Sequence, residues 1–202
     1  MRSWVLPEEP APVRLMNTIW ADRTGVQDGL RTPSDLRAWL ASNGATVGSL
    51  RVTPDDVRVA RQLRDALRRV AALYTDDTRA SVASVLSALE DVDTAVARIN
   101  SAVAAAPPVT RLALANGLLR RDKAPLGPPV PGTLAKVAAA AIDLFTSADG
   151  PPLRACHAPG CVLYFCKDHP RREWCSTTCG NRARAARHYR RHRLDNKTGF
   201  AP

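Results

Sequence analysis

Cys156, Cys161, Cys175 and Cys179 are spaced C-x4-C-x13-C-x3-C. Each close pair offers two thiolates from one local turn, and two such pairs on a short tether suit a tetrahedral Zn²⁺. If a helix begins near Ser176, Cys175 and Cys179 stand at i and i+4 and point to one side. Pro159-Gly160 supplies the bend that turns Cys156 and Cys161 into a knuckle. Four thiolates close the coordination shell, so the metal is expected to be structural and to hold up a unit too small to fold by apolar burial alone. Ordinary buried cysteines are the alternative, and the paired spacing favours zinc. Cys166, the fifth cysteine, is read as a spectator or else an alternative ligand, with His157 and His169 as weaker substitutes.

A basic segment follows the last cysteine. Between Trp174 and Leu194 there is no Asp or Glu, so like charges there lack intramolecular compensation. A solvated face is the ordinary fate of such a stripe. The scarcity of acidic partners favours a polyanion instead, with Arg171, Arg172, Arg182, Arg184, Arg187, His188, Arg190, Arg191 and Arg193 as the candidate nucleic-acid contacts. Gly180 would allow close packing on the knuckle and Asn181 would bond backbone near the metal. Ala183, Ala186 and Tyr189 are expected on the inner helix face.

These elements sit at one end of an asymmetric chain. The net charge of the 202 residues is +10. Residues 1–150 hold 18 Lys/Arg against 16 Asp/Glu, whereas 151–202 hold 11 against 3. All five Cys and all four His also lie beyond residue 150. The nucleophile–His arrangements of hydrolytic enzymes are therefore missing from the first three quarters, no Gly-rich phosphate loop is evident, and no catalytic residues are assigned. An odd cysteine count and a start without an apolar h-region lead to the expectation of reduced thiols in a cytoplasmic, nucleoid-associated protein. No apolar run reaches the ~18 residues of a membrane span.

Apolar content of 45% with only 5% aromatics points to an Ala/Val/Leu core that suits helices. The expected class is α+β and mostly helical: an N-terminal helical domain with a small β-hairpin, then a treble-clef-like zinc finger with an Arg-rich helix. Residues 1–13 are read as extended, followed by a short segment around Leu15–Trp20 and a Gly-containing loop. Thr32-Pro33-Ser34-Asp35 and Thr53-Pro54-Asp55-Asp56 are helix starts with capping boxes. The first opens a helix over Ser34–Ser42. The second opens a longer one with Val57, Ala60, Leu63, Leu67, Val70 and Tyr74 inward. A third helix would bury Val82, Val85, Leu86, Leu89, Val92 and Val96. Asn116-Gly117 between Val109–Ala115 and Leu118–Asp122 signals a hairpin, and Thr133–Ser147 a last helix with Leu134, Val137, Ala138, Ala141 and Phe145 on one face. The division drawn is 1–147, a linker at 148–153, and a finger at 154–202.

Trp174-Cys175-Ser176-Thr177-Thr178-Cys179-Gly180-Asn181-Arg182 closely resembles the CGNR zinc finger, which is attached to an N-terminal ABATE domain in a bacterial family of stress-induced transcription regulators. Leu15-Met16-Asn17-Thr18 resembles that family's early N-T segment, and Asp35-Leu36-Arg37-Ala38-Trp39-Leu40 before Gly44 resembles its first helix. The resemblance spans nearly the whole chain and implies that Cys156, Cys161, Cys175 and Cys179 ligate zinc and that the helix from Ser176 contacts DNA. Two departures are the x3 spacing of the last pair, where some members have x4, and the presence of Cys166. The expected function is zinc-dependent binding of duplex DNA by a regulator, with a second copy of the chain as a candidate partner in a homodimer. RNA binding, nucleolysis and a zinc-supported protein-interaction module are the alternatives. Asn17, Thr18, Trp20 and Asp22 are candidates for a small-ligand pocket, against the reading that Asn17 and Thr18 turn the backbone while Trp20 packs inward.

Overall fold

A computed structural model describes residues 6–44, 51–79, 91–125, 128–148, 150 and 152–198. The segment expected to be extended turns helical at α1 (Ala11–Met16). Pro12 lies in its first turn, where a missing N–H is no loss, and Val13, Leu15 and Met16 are buried. The glycine loop after it proves to be a hairpin of β1 (Ile19–Asp22) and β2 (Gly25–Asp28). Gly25, at φ 114°, takes a conformation that L side chains resist.

Both capping boxes form. Asp35 N–H donates to Thr32 Oγ1 at 3.1 Å and Thr32 N–H to Asp35 Oδ2 at 2.9 Å, opening α2 (Pro33–Ser42). Thr53 and Asp56 repeat the exchange at 3.1 and 2.8 Å, opening α3 (Pro54–Tyr74). Val57, Ala60, Leu63 and Leu67 are buried as their spacing requires, whereas Val70 is half-buried and Tyr74 is exposed, its ring edging Phe145 at 5.9 Å. Asp91 caps α4 (Val92–Ala105), which turns Ala95 and Ile99 inward. Val96, expected inside, is exposed because the helix faces its neighbours through the smaller Ala95. Val82, Val85, Leu86 and Leu89 lie outside the described residues.

The hairpin of β3 (Pro108–Ala115) and β4 (Leu118–Pro125) turns at Asn116-Gly117, both residues at positive φ. Helix α5 (Pro129–Thr146) starts a turn earlier than its apolar pattern suggested, with Pro residues occupying its first turn. Helices α3, α4 and α5 pack on one another, and α1 and α2 pack on α3. No described helix is long and apolar enough to cross a membrane.

The remaining elements are β5 (Leu153–Ala155), β6 (Tyr164–Cys166) and α6 (Thr177–Thr198). Strand alternation divides the β5–β6 hairpin between two interiors. Leu153, Ala155, Tyr164 and Cys166 join the helical core, while Phe165 joins a second cluster made of the four paired cysteines. Burial on both faces accounts for the uninterrupted apolar run Val162–Cys166, a pattern of strands covered on two sides.

Candidate metal centre and nucleic-acid interface

The β5–β6 connection carries Cys156 and Cys161, with Gly160 at φ 71° making the bend. Cys175 precedes α6 and Cys179 sits in its first turn. Ser176 caps that turn, its Oγ accepting from Cys179 N–H at 3.2 Å. The four Sγ atoms all lie within 4.8 Å of one another, and all four residues are buried. Cys161–Cys175 and Cys175–Cys179 are 3.9 and 3.4 Å apart, far beyond a disulfide bond. Thiolates at about 2.3 Å around zinc form a tetrahedron with edges of about 3.8 Å, so the donor set and its spacing fit the metal. The site is a structural zinc centre with no open coordination position.

Thiols this close cannot ionise independently. Hydrogen bonding with Cys161 and then Cys175 draws Cys156 down to about 7, while contact with Cys156 pushes Cys161 and Cys175 up and holds Cys179 down. Arg182 donates to Cys179 Sγ at 3.1 Å and the Cys175 amide to Cys156 Sγ at 3.5 Å, both of which favour negative sulfur. Cys166 is outside this cluster. Its side chain faces the helical core, where burial and then Glu9 push the thiol up to about 12.

The finger is gripped by the rest of the chain. Arg79, whose side chain is only 6% exposed and is paired with the buried carboxylate of Asp77, donates through one nitrogen toward the carbonyls of Cys156 (2.9 Å), Cys161 (3.2 Å) and Leu163 (3.1 Å). Tyr164 donates its hydroxyl to Asp77 at 2.8 Å, and its ring lies under both Arg79 and Arg68. Arg68 is wholly buried with no carboxylate partner among the described residues. It donates to Met16 O and Val162 O at 2.9 and 3.0 Å, and burial lowers it only to about 10, so it stays charged at neutral pH. Glu9 accepts from Cys166 N–H at 2.8 Å and from Arg172 at 2.6 Å. Trp20 and Trp174 pack against the cysteine cluster. Sequence patterning missed Arg68 and Arg79, because an arginine on an amphipathic helix or in a loop reads as surface.

Among the described side chains of α6 beyond Gly180, Ala183 points inward and Ala186 is half-buried. Arg182, Arg184, Arg187, His188, Arg190 and Arg191 are exposed. Arg171 is also exposed, whereas Arg172 is drawn onto Glu9, the Cys166 carbonyl and the Phe165 ring. Arg193 belongs to α6 by its backbone. Tyr189, expected inside, is 71% exposed, since the helix has left the body by that turn. Asn181 accepts from Arg184 rather than bonding near the metal. A Cβ on Gly180 would meet Trp174 Cδ1 at 3.1 Å and Arg184 at 3.4 Å. Gly180→Ala is therefore expected to push Trp174 off the cluster and lower stability by about 1 kcal/mol or more, despite alanine's better helix propensity. Thermal unfolding of the zinc-loaded protein checks this, and a stabilised variant would mean that Trp174 yields freely.

Comparison with family models matches residues 9–148 to ABATE, described as "Putative stress-induced transcription regulator". The chain belongs to the ABATE family. Residues 153–192 match the CGNR zinc finger, which spans all four sulfur ligands. No curated protein matches the chain.

Within the ABATE segment, the residues considered for a ligand pocket are used internally. Asn17 pairs both amide atoms with the Tyr164 backbone, at 2.9 and 3.0 Å, imitating a neighbouring strand. Thr18 is fully buried and donates to Leu15 O at 2.7 Å. Trp20 faces the cysteine cluster, and Asp22 closes the β1–β2 turn, where hydrogen bonds from Thr24 hold its carboxyl below the usual range. The ABATE segment thus uses its N-T residues to seat the CGNR finger.

Proposed function

We propose that this ABATE protein is a DNA-binding transcription regulator whose zinc centre fixes the start of α6 so that its arginines lie along a duplex backbone. The observation that carries the reading is that every side chain from Arg187 to Arg191 is exposed. A helix polar on all sides has no interior to stabilise it, and this one lacks acidic neighbours over residues 174–194. An anionic surface supplies both the missing contact area and the countercharge. Arg184, Arg187 and Arg191 recur at helical spacing for phosphates along one strand, and Tyr189 offers a ring beside them. Base-edge contacts by one or two of these arginines would add sequence preference. Homodimerisation would lengthen the site read.

The test is fluorescence anisotropy of the zinc-loaded protein on duplex DNA across a salt series, with RNA as competitor. Each neutralised phosphate contributes about −0.9 to the log–log salt slope. The double variant R187A/R191A is expected to flatten the slope by about two units with zinc content unchanged. Wild-type affinity and slope in that variant would remove α6 from the interface. Preferential displacement by RNA would instead assign the same surface to RNA.

A further inference from the structure

A second basic feature lies beside the metal centre rather than on α6. A cavity of about 250 Å³ opens between the end of α3 and the β5–β6 hairpin, lined by Thr75, Arg154, His157, Lys167, Arg172 and Glu173 over a floor of Phe165. Arg154 is paired across the hairpin with Phe165, and Lys167 follows two residues later, so both cations rise from one face. Neither they nor the His157 side chain has a hydrogen-bond or ion-pair partner among the described residues. The nearby helix end does not need them: Ala71, Ala72 and Leu73 carbonyls are already taken by the amides of Thr75, Asp77 and Asp76. Arg172 is fixed by Glu9 and by the Phe165 face at 5.0 Å, with Asp168 at 3.2 Å. This leaves two unpaired cations and a histidine facing one carboxylate, Glu173.

We propose that this cleft binds a backbone phosphate of the same duplex that α6 engages, giving the protein a second clamp on nucleic acid. The inference rests on the reading of α6 given above. The cavity is smaller than the roughly 300–1,000 Å³ of ordinary ligand pockets, a size for one phosphate group rather than a whole effector. Its position suits a shared ligand. His157 adjoins the zinc ligand Cys156, and Arg172 reaches Cys175 O at 3.4 Å. From Glu173 to the first residue of α6 is four residues, at most about 14 Å of chain, close to the ~12 Å width of a major groove. On this proposal a duplex lying along α6 also presents a phosphate to the cleft mouth.

The experiment compares wild type, R154A/K167A, R187A/R191A and a charge-matched control, R120A/R121A on the exposed β4, all zinc-loaded and full-length, by anisotropy on duplex DNA against salt. The cleft variant is expected to flatten the log–log slope by about two units, ~0.9 per contact, and to bind at least tenfold more weakly near 150 mM salt, with zinc content and Tm unchanged. The control should leave the slope near wild type. If R154A/K167A binds like wild type while R187A/R191A is weakened, the cleft is not a contact and the α6 reading stands. An equal loss in the control reduces the effect to net charge and overturns the cleft. If inorganic phosphate at millimolar concentration protects Lys167 from acylation but duplex DNA does not, the cleft serves a free phosphate and the proposal fails. Absence of duplex binding by the wild type removes both readings together.

Discussion

Cys179→Ser is expected to lower bound zinc from one per chain to near zero after dialysis and to weaken duplex binding by at least about 100-fold. Cys179 is the one ligand within α6 itself, and its sulfur, within 4.8 Å of those of Cys156 and Cys161, ties the helix to the knuckle. A hydroxyl is a poor replacement for a thiolate on zinc, and free energy of metal binding is folding free energy in units of this kind. Beyond the tie, the described side chains of α6 that hold it against the body are Ala183 and half-buried Ala186, with Gly180 under Trp174. The helix should then fray from its start, seen as lost ellipticity. Cys166→Ala is the matched control: its sulfur faces the other core, so zinc should stay stoichiometric while stability falls modestly. Metal analysis, circular dichroism and anisotropy read the three effects. Duplex binding that survives loss of the metal would show that α6 docks without it.

Arg79→Met should be the most damaging single change outside the cysteines. It removes the donor to three carbonyls, two of them belonging to zinc ligands, and leaves the Asp77 carboxylate without its countercharge, held only by the Tyr164 hydroxyl and the amide of residue 79. Burial works to raise that carboxyl, but hydrogen bonds from Arg79 and Tyr164 outweigh it and hold it low. Losing one partner of a buried ion pair costs about 3–5 kcal/mol. Loss of an outer partner of a metal ligand lowers metal affinity by roughly 10–100-fold. Arg79→Met is accordingly expected to show both a large drop in Tm and weaker zinc retention against a chromophoric chelator. Arg79→Lys keeps the charge without the fork and should fall between. Tyr164→Phe deletes only the hydroxyl donor to Asp77, so its effect should be closer to 1 kcal/mol. Lowered stability with undiminished zinc affinity would separate Arg79 from the metal site.

The sequence was most readable where structure is set within a few residues. Thr32–Asp35, Thr53–Asp56 and Asn116-Gly117 determine their own local geometry, and the cysteine spacing identified the metal centre before any distance was known. The elements that escaped are those decided at long range. Nothing local distinguishes Ile19–Asp22 and Gly25–Asp28 from a loop, since four-residue strands gain little until Trp20 finds the cysteine cluster. Arg68 and Arg79 carry no local mark of burial, because the carbonyls they bind are 52 to 94 positions away and an Asp two residues before an Arg reads as an ordinary loop pair. Tyr189 and Val96 were misplaced for the converse reason. Periodicity gives the face of a helix, but not where along its length the neighbouring structure ends.

The grip of the early chain on the finger has a consequence for the order of events during synthesis. Glu9 waits for Cys166 and Arg172, 157 and 163 positions downstream, and Asn17 waits for Tyr164 at 147. At about 5–20 residues per second, these partners emerge from the ribosome roughly 8–30 seconds later. In that interval Glu9, Arg68, Asp77 and Arg79 have no finger to satisfy them, so the helical part stays incomplete until its last quarter arrives. Folding of the early helices thus stays open until residues 164–172 have been made, and capture of a metal ion becomes a late event in the maturation of this unit.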